Sequence, residues 1–436
     1  MGSTKERFGA LLESRDFRLL LGAQFLGQAA DGMAQAVFAD ILVLEPLNAG
    51  TPWVVFKLFA LTLLPYSALS PFLGVFVDRW SRRSLVVWTN LVRGALLLTI
   101  PLWRHAFPGH IALYIAVLLL LGLGRLFLTT KGALLPVVLH ESHLLPGNSI
   151  SGGGGMISAL LGGALGIELI KFLTEHEAFA IAGAMYLSAA SLGWWLSAPF
   201  AHRAAHTIGN ALGRVARGLH EGLRAIWGRP GARLPLIAIF ILRMLGIAVV
   251  IVALLVIKKE FPHQTEAAHS GRLNSATFAL AMAGVGAFVG ALTAPRLGRR
   301  FSKAGLITLG FVLSGVGIAL LGGIVSIPAV LALTFIGGFG GFVSKVAVDA
   351  QIQEALPDDY RGRAFALYDI LYNVASVCAA AVILGFDGVV SFRPLLIMFG
   401  IVTLLVAAVM SRAMTRAGIA GSPLHSSAAA ATASPD

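Results

Sequence analysis

The chain has 436 residues, of which 57% are hydrophobic and 12% are charged, with 33 Lys and Arg against 21 Asp and Glu. A soluble domain carries about 25% charged residues, so this composition excludes an ordinary soluble protein. The single cysteine, Cys378, excludes an intrachain disulfide framework. The mean hydropathy of +0.83 indicates a chain built mainly from membrane-spanning segments.

Twelve apolar stretches follow one another along the chain, each close to the roughly 20 residues that a helix needs to cross a bilayer. The strands of a membrane barrel would instead alternate over about ten residues, so helices are predicted. The predicted fold is an all-α membrane protein with twelve transmembrane helices. The predicted spans are 17–45, 52–77, 85–103, 111–139, 150–172, 178–200, 234–257, 273–294, 304–325, 327–351, 364–386 and 394–414.

Lys and Arg concentrate in alternate loops, with 21 of them on one side of the predicted membrane and six on the other. The positive-inside rule therefore predicts a multi-pass protein of the cytoplasmic (plasma) membrane with both termini in the cytoplasm. The same distribution explains the net charge of +12 without a nucleic-acid partner, because basic loops set topology and attract anionic membrane lipids.

An internal repeat divides the chain near its middle. Residues 78–83 (DRWSRR) return in degenerate form at 295–300 (PRLGRR), and Lys131 has a counterpart in Lys345. Two pseudo-symmetric six-helix halves around a central cavity are expected, since parallel repeats are a transporter architecture. The predicted divisions are a cytoplasmic N-terminus (1–16), the N-terminal half (17–200), a cytoplasmic linker with an amphipathic helix (201–233), the C-terminal half (234–414) and a disordered cytoplasmic tail (415–436).

The loop after the second span carries a recognisable motif, which reads GVFVDRWSRR. It resembles the signature loop of the major facilitator superfamily. The resemblance implies that spans one, four, seven and ten line the central cavity and that the loop latches one closed arrangement. It also implies that Arg79 and Arg82 pair with acids. The candidate latch residues are Gly74, Asp78, Arg79, Arg82 and Arg83.

Further motifs lie before spans one, five and eleven: RDFR at 15–18, LLPGN at 144–148, and QEALP at 353–357 leading to RGRAF at 361–365. They resemble the drug:proton antiporter branch of the superfamily, typified by macrolide exporters. That resemblance covers nearly all of residues 14–412.

Eleven charged residues lie inside the predicted spans, and each would cost roughly 2.5–3.5 kcal/mol if it faced lipid. Most must therefore face a cavity or one another. Seven of the eleven lie in spans one, four, seven and ten, and they are the candidate substrate and coupling residues. These are Asp31, Asp40, Arg125, Lys131, Arg243, Lys345 and Asp349.

Asp31 in the middle of span one is the best candidate for a coupling or substrate-orienting carboxylate, because desolvation brings a carboxyl towards proton exchange at working pH. The alternative is a permanent ion pair with Arg243 or Arg125. Lys345 and Asp349 stand four apart on one helical face and are expected to pair with each other.

Two further sets of charges are interpreted as structural. Arg93 lies near Asn90 in span three, and Glu168 lies near Lys171 at the outer end of span five. The second set is expected to neutralise itself or to reach towards the membrane surface.

The expected function is secondary active transport by alternating access, as proton-coupled export of an amphiphilic drug-like solute by a monomer. One alternative is a lysophospholipid or other lipid-like substrate, because AQFL at 23–26, TKG at 130–132 and Arg243 are similar to bacterial lysophospholipid transporters. A second alternative is a non-transporting membrane sensor or scaffold. The chain has no catalytic set, nucleotide motif or metal motif, so no enzyme, cofactor or metal is expected.

Overall fold

The computed structural model describes residues 13–44, 52–73, 77, 80–103, 111–140, 144–197, 208–260, 275–324, 326–386 and 391–419. Within these ranges the chain forms thirteen α-helices and no β-strand. In chain order they are α1 (Arg15–Ala39), α2 (Pro52–Leu69), α3 (Arg82–Trp103), α4 (Ile111–Val138), α5 (Leu144–Leu169), α6 (Glu175–Trp194), α7 (Ile208–Trp227), α8 (Pro230–Glu260), α9 (Ser275–Leu297), α10 (Lys303–Leu321), α11 (Ile327–Ala355), α12 (Asp358–Gly385) and α13 (Phe392–Arg416).

The all-α fold class is confirmed. Each of the twelve predicted spans coincides with a helix, α1–α6 and α8–α13, and α7 occupies the predicted linker. Nine of the helices in the described part of the chain, α2–α5, α8 and α10–α13, are long and apolar enough to cross a membrane. Span one differs in detail, because α1 continues into a π-helix, Asp40–Leu44, before the end predicted for it.

Hydroxyl side chains begin several of the helices, because the first N–H groups of a helix need acceptors outside it. Ser14 accepts from the N–H of Phe17 and donates to the carbonyl of Val138, which also ties the start of α1 to the end of α4. Thr174 and Glu177 form a reciprocal capping box at the start of α6. These caps fix where the spans begin.

The chain divides into two compact units. The N-terminal unit contains the described residues of Met1–Pro46 and Ala68–Val215, and the C-terminal unit contains those of Leu47–Ser67, Ala216–Ala268 and Asn274–Asp436. Helix α2 therefore belongs for most of its length to the C-terminal unit, although it precedes α3–α6 in the sequence.

Four helix pairs form in both units, although the C-terminal unit also packs α9 against α11. In the N-terminal unit α1 packs against α5 and α6, and α3 packs against α4 and α6. In the C-terminal unit α8 packs against α12 and α13, and α10 packs against α11 and α13. Counted from the start of each half, these are the same pairs of spans, so the internal repeat seen in sequence is also a repeat of packing.

Two glycines show how closely the helices of each unit approach. A Cβ on Gly32 of α1 would lie 2.0 Å from the carbonyl oxygen of Ala159 in α5. A Cβ on Gly338 of α11 would lie 2.0 Å from the carbonyl oxygen of Ala283 in α9. Any larger residue must force these backbones apart, which is the usual reason for small residues at helix contacts in membranes.

Helix α7 packs on the start of α12. A Cβ on Gly222 would lie 2.9 Å from the Cβ of Arg363, and Glu221 accepts from Arg363 Nη1 at 2.5 Å. Ile226 is buried in the core of the C-terminal unit, whereas Leu223 and Trp227 are exposed. The helix predicted for the linker is therefore present and amphipathic.

Candidate functional site

Asp31 lies at the centre of a hydrogen-bonded group in the N-terminal unit. Arg93 Nη1 from α3 donates to both carboxylate oxygens, at 3.0 and 3.2 Å, and the hydroxyl of Tyr186 from α6 donates to Oδ1 at 2.5 Å. The Asp31 side chain is 25% exposed, while that of Arg93 is 0% exposed. The carboxylate thus joins three helices and still reaches open space.

Hydrogen-bond acceptors and aromatic rings surround the Arg93 guanidinium. Its Nε donates to the carbonyl of Thr89 at 3.2 Å, and Nη2 donates to Asn90 Oδ1 at 2.6 Å. Its guanidinium lies over the rings of Phe127 and Tyr186, with centroids 5.5 and 4.4 Å away. A buried cation needs both an opposite charge and hydrogen-bond acceptors, and Arg93 has both.

The base that neutralises Asp31 is therefore Arg93 of α3. The alternative predicted for Asp31 is an ion pair with a cavity base such as Arg243 or Arg125, and the base in the structure is Arg93. The structural interpretation of Arg93 agrees with its complete burial, but its contact with Asp31 also places it in the candidate site.

Lys131 of α4 belongs to a second polar group in the same unit. Its ammonium donates to Ser151 Oγ at 2.8 Å, and Ser151 donates to Gln24 Oε1 at 2.6 Å. Gln24 in turn donates to Gln28 Oε1 and to the carbonyl of Ser151, both at 2.7 Å. No acidic side chain within the described ranges pairs with Lys131.

In the C-terminal unit, Lys345 and Asp349 form the expected pair within α11. The Nζ–Oδ2 distance is 2.7 Å, and the side chains are 29% and 28% exposed. Lys345 also lies over the ring of Tyr368, 5.2 Å from its centroid. Asp349 Oδ1 and the hydroxyl of Tyr368 are buried without a hydrogen-bond partner among the described residues.

Arg243 of α8 has neutral partners. Its Nε donates to Ser376 Oγ at 3.3 Å, and its guanidinium lies over the ring of Tyr372, 4.4 Å from the centroid. It lines a cavity of about 340 Å³ within the C-terminal unit whose other walls are mainly apolar, with Ser314, Thr334 and Tyr372 as further polar groups. No acid lines this cavity, and none in the described part of the chain pairs with Arg243.

The two remaining candidate cavity residues occupy separate positions in the N-terminal unit. Asp40 is the first residue of the π-helix that follows α1, and Arg125 lies in α4. Both side chains are half-buried. Their roles in the site stay predictions.

The latch loop is only partly within the described residues. Gly74, Asp78 and Arg79 lie outside them. Arg82 Nη1 donates to the carbonyl of Ala133 in α4 at 2.9 Å, and Arg83 Nη2 donates to the carbonyl of Trp194 in α6 at 2.5 Å. These two arginines hold the start of α3 to its neighbours, and the latch itself stays a prediction.

Comparison with known proteins agrees with this architecture. The family model described as Major Facilitator Superfamily matches residues 20–268 and 236–430, which together span most of the chain. The chain belongs to the major facilitator superfamily. It is therefore a multi-pass membrane protein and a secondary transporter of small solutes.

Its relatives leave the solute open. An uncharacterized MFS-type transporter of Mycobacterium bovis is 29% identical over 420 residues, covering 92% of both chains, and an uncharacterized MFS-type transporter of Mycobacterium tuberculosis gives the same values. Among solved structures, a POT family transporter in complex with 5-aminolevulinic acid matches with a TM-score of 0.67 at 12% identity, over 93% of this chain and 97% of that chain. The nucleoside transporter NupG matches with a TM-score of 0.62 at 13% identity, over 92% and 98%. At such identities these structures are evidence for the fold alone.

Several residues of these hydrogen-bonded groups could not be identified from the sequence, because their side chains carry no charge. They are Gln24, Gln28, Asn90, Ser151, Tyr186, Tyr372 and Ser376. The only usable signal is spacing: Gln24, Gln28 and Asp31 stand at positions i, i+4 and i+7, on one face of α1.

Proposed function

We propose that this transporter exports an amphiphilic, drug-like solute in exchange for protons, by alternating access, and that Asp31 is the carboxylate that carries the proton. The observation behind the proposal is the position of Asp31, which is partly exposed and joined to Arg93 of α3 and Tyr186 of α6. A proton carrier needs this combination of access and linkage to several helices.

The chemistry of the step follows from these contacts. A proton that binds Asp31 removes its negative charge, so the attraction to Arg93 is lost and one buried cation is left without a counter-ion. The arrangement of α1, α3 and α6 that is stable with Asp31 ionised is then less stable with Asp31 neutral. Protonation and helix arrangement are thereby coupled, which is what exchange of a proton for a solute requires.

Transport into proteoliposomes tests this proposal. Vesicles with an acidic lumen are expected to accumulate fluorescent amphiphiles from a panel containing an acidic, a basic and an uncharged dye. Collapsing the pH gradient should stop accumulation. Asp31→Asn should lose the gradient-driven part, while Glu168→Gln, the same change at an exposed acid paired with Lys171, should retain it.

Two results would count against the proposal. Accumulation that is insensitive to collapse of the gradient would reject proton exchange. Gradient-driven accumulation that persists in Asp31→Asn would reject Asp31 as the proton carrier and leave the transporter assignment intact.

A lipid-like substrate, such as a lysophospholipid, is a second candidate. It is favoured by the cavity of about 340 Å³ in the C-terminal unit, whose apolar walls and single cation match a chain with one acidic headgroup. The Arg243 guanidinium, held by Ser376 and the Tyr372 ring, has the planar donor geometry that suits a phosphate.

Binding to the purified protein tests this second candidate. Lysophosphatidylglycerol is expected to bind more tightly than a monoacylglycerol with the same chain, and Arg243→Met should remove the difference. Equal affinities of the wild-type protein for the two lipids would reject the lipid candidate.

The orientation and division of the chain are also proposals. We infer that it lies in the cytoplasmic membrane as a monomer, with residues 1–16, 201–233 and 415–436 on the cytoplasmic side. The basic residues around α7 and its exposed Leu223 and Trp227 support contact with the cytoplasmic leaflet. Labelling of single cysteines placed at 210 and 425 should require permeabilised cells, and labelling of intact cells would reject this orientation.

A further inference from the structure

The polar group of Gln24, Gln28, Lys131 and Ser151 has fixed hydrogen-bond directions. An ammonium only donates, so Ser151 Oγ accepts from Lys131. The one hydroxyl proton of Ser151 is donated to Gln24 Oε1, and the two amide protons of Gln24 go to Gln28 Oε1 and to the Ser151 carbonyl. Every polar atom of the Gln24 side chain is thereby used.

The side-chain groups of Gln28 and Lys131 that have no partner among the described residues are therefore all hydrogen-bond donors. Gln28 accepts through Oε1, and its Nε2 amide group has no partner among the described residues. Within the same described residues, Lys131 uses one of its three N–H bonds, to Ser151. Up to two N–H groups of Gln28 and two of Lys131 are left, and one of these two groups carries a full positive charge.

Buried residues fix the positions of the Gln28 and Lys131 side chains. Ser151 is 0% exposed and Gln24 is 1% exposed, whereas Lys131 and Gln28 are half-buried and reach open space. A Cβ on Gly155 of α5 would lie 1.9 Å from Gln28 Oε1, so only glycine at this position lets the Gln28 amide lie so close to α5. Side chains fixed in this way lose little freedom when a ligand binds.

Among the residues that the structure describes, no acidic side chain pairs with the Lys131 ammonium. Asp31 stands seven residues from Gln24 on the same face of α1, about 10 Å along the helix at 1.5 Å per residue, and its own charge is taken by Arg93. A partly buried cation that hydrogen-bonds only to a neutral hydroxyl is poorly compensated, and an anion from outside would complete it.

We propose that Lys131 and Gln28 bind the anionic group of the transported solute, a carboxylate or a phosphate ester, with Ser151 and Gln24 as positioning residues. The inference rests on the proposed function, since it names the chemical class of the amphiphile. Gln28 stands three residues before Asp31, the proposed proton carrier, on α1.

Equilibrium binding to the purified full-length protein in an uncharged detergent, without any pH gradient, tests the inference. The probes share a twelve-carbon chain and differ in headgroup: dodecanoate, dodecyl phosphate, dodecanol and dodecyltrimethylammonium, with inorganic phosphate as a chain-free anion. Each is measured in the wild-type background and in an Arg243→Met background, so that the cavity of the C-terminal unit does not mask the result.

Lys131→Met is expected to weaken binding of dodecanoate, dodecyl phosphate or both by about tenfold to a hundredfold, the loss typical of a hydrogen bond to a charged group. Lys131→Arg should restore most of it. Gln28→Glu keeps the oxygen that accepts from Gln24 but replaces the free donors with a carboxylate oxygen, so it should weaken anion binding and leave dodecanol unaffected. Lys171→Met, the same change at a lysine paired with Glu168, should have no effect.

Some outcomes of these measurements test the anion site, and others test proton exchange. Wild-type affinities that do not distinguish the anionic probes from dodecanol would overturn the site, as would unchanged anion affinity in Lys131→Met or an equal loss for all four chain probes. Binding of inorganic phosphate as tight as that of dodecyl phosphate would show a free-anion site and overturn the assignment to an amphiphile. Anion binding that is lost in Lys131→Met would support the site. If transport were at the same time unaffected by the pH gradient, proton exchange would be rejected and the site would stand.

Discussion

The two units hold their embedded acids in different ways. In the N-terminal unit, Asp31 is bound by a fully buried arginine and a tyrosine from two other helices. In the C-terminal unit, Asp349 is bound by Lys345, which lies one turn away on the same helix. One acid therefore links three helices, and the other mainly neutralises a charge on its own helix.

This difference supports the proposal that Asp31, rather than Asp349, couples charge to the arrangement of the helices. Neutralising Asp31 changes the forces between α1, α3 and α6, whereas neutralising Asp349 changes a contact within α11. A pair of residues four apart stays close in any arrangement of the surrounding helices, because the helix itself sets their separation. The repeat of helix packing between the units therefore does not extend to the chemistry of their acids.

The largest expected effect is on stability, from Arg93→Met. Removing a fully buried arginine leaves Asp31 without its counter-ion, so the free energy of unfolding should fall by about 3–5 kcal/mol. Thermal unfolding of the purified protein in detergent measures the change. Lys345→Met, which removes a half-exposed cation, should cost under about 1 kcal/mol.

A second substitution separates charge from packing in this result. In the Arg93→Met background, Asp31→Asn should recover part of the lost stability, because it removes the uncompensated charge. The contrast between the two units is wrong if Arg93→Met and Lys345→Met lower the free energy of unfolding by the same amount. It is also wrong if Asp31→Asn, added to Arg93→Met, lowers that free energy further.

An intermediate effect is expected at a close helix contact in each unit. Gly32→Ala and Gly338→Ala each place a Cβ 2.0 Å from a backbone oxygen of the facing helix, so each should cost about 1–3 kcal/mol. Gly122→Ala and Gly337→Ala are matched controls, since a Cβ at either position has no atom within 4 Å. A loss confined to one unit would show that the facing helices of the other unit can move apart to make room for a Cβ.

The smallest expected effect is that of Asp349→Asn. The Lys345–Asp349 pair is partly exposed and local, so its loss should lower the free energy of unfolding by under about 1 kcal/mol. Gradient-driven uptake of the amphiphilic dyes should also persist, in contrast to Asp31→Asn. Loss of that uptake in Asp349→Asn, with normal folding, would make the C-terminal acid a second coupling site.

The sequence predicts the local part of this structure well. Apolar run length gives the twelve spans, and the amphipathic pattern between the halves gives α7. The pairing of Lys345 with Asp349 follows from a spacing of four residues, because a helix brings such residues together without help from the rest of the chain.

Contacts between distant segments could not be predicted in the same way. Arg93 is 62 positions from Asp31, and Tyr186 is 155 positions from it. Their meeting depends on which faces of α1, α3 and α6 pack together. A membrane-spanning helix is apolar towards lipid as well as towards its neighbours, so its apolar pattern does not identify the packed face. The embedded charges identify candidates for the site, and tertiary packing selects the partners among them.

The aromatic rings of α12 have a consequence for an anion that binds at Arg243. Tyr368 and Tyr372 stack with centroids 5.9 Å apart, and Tyr372 offers its face to Arg243. A ring face stabilises a cation without occupying the edge of the guanidinium that binds anions. An anion bound at Arg243 would therefore displace no carboxylate of the described residues. The Ser376 hydroxyl would be the side-chain oxygen that competes with it for the guanidinium.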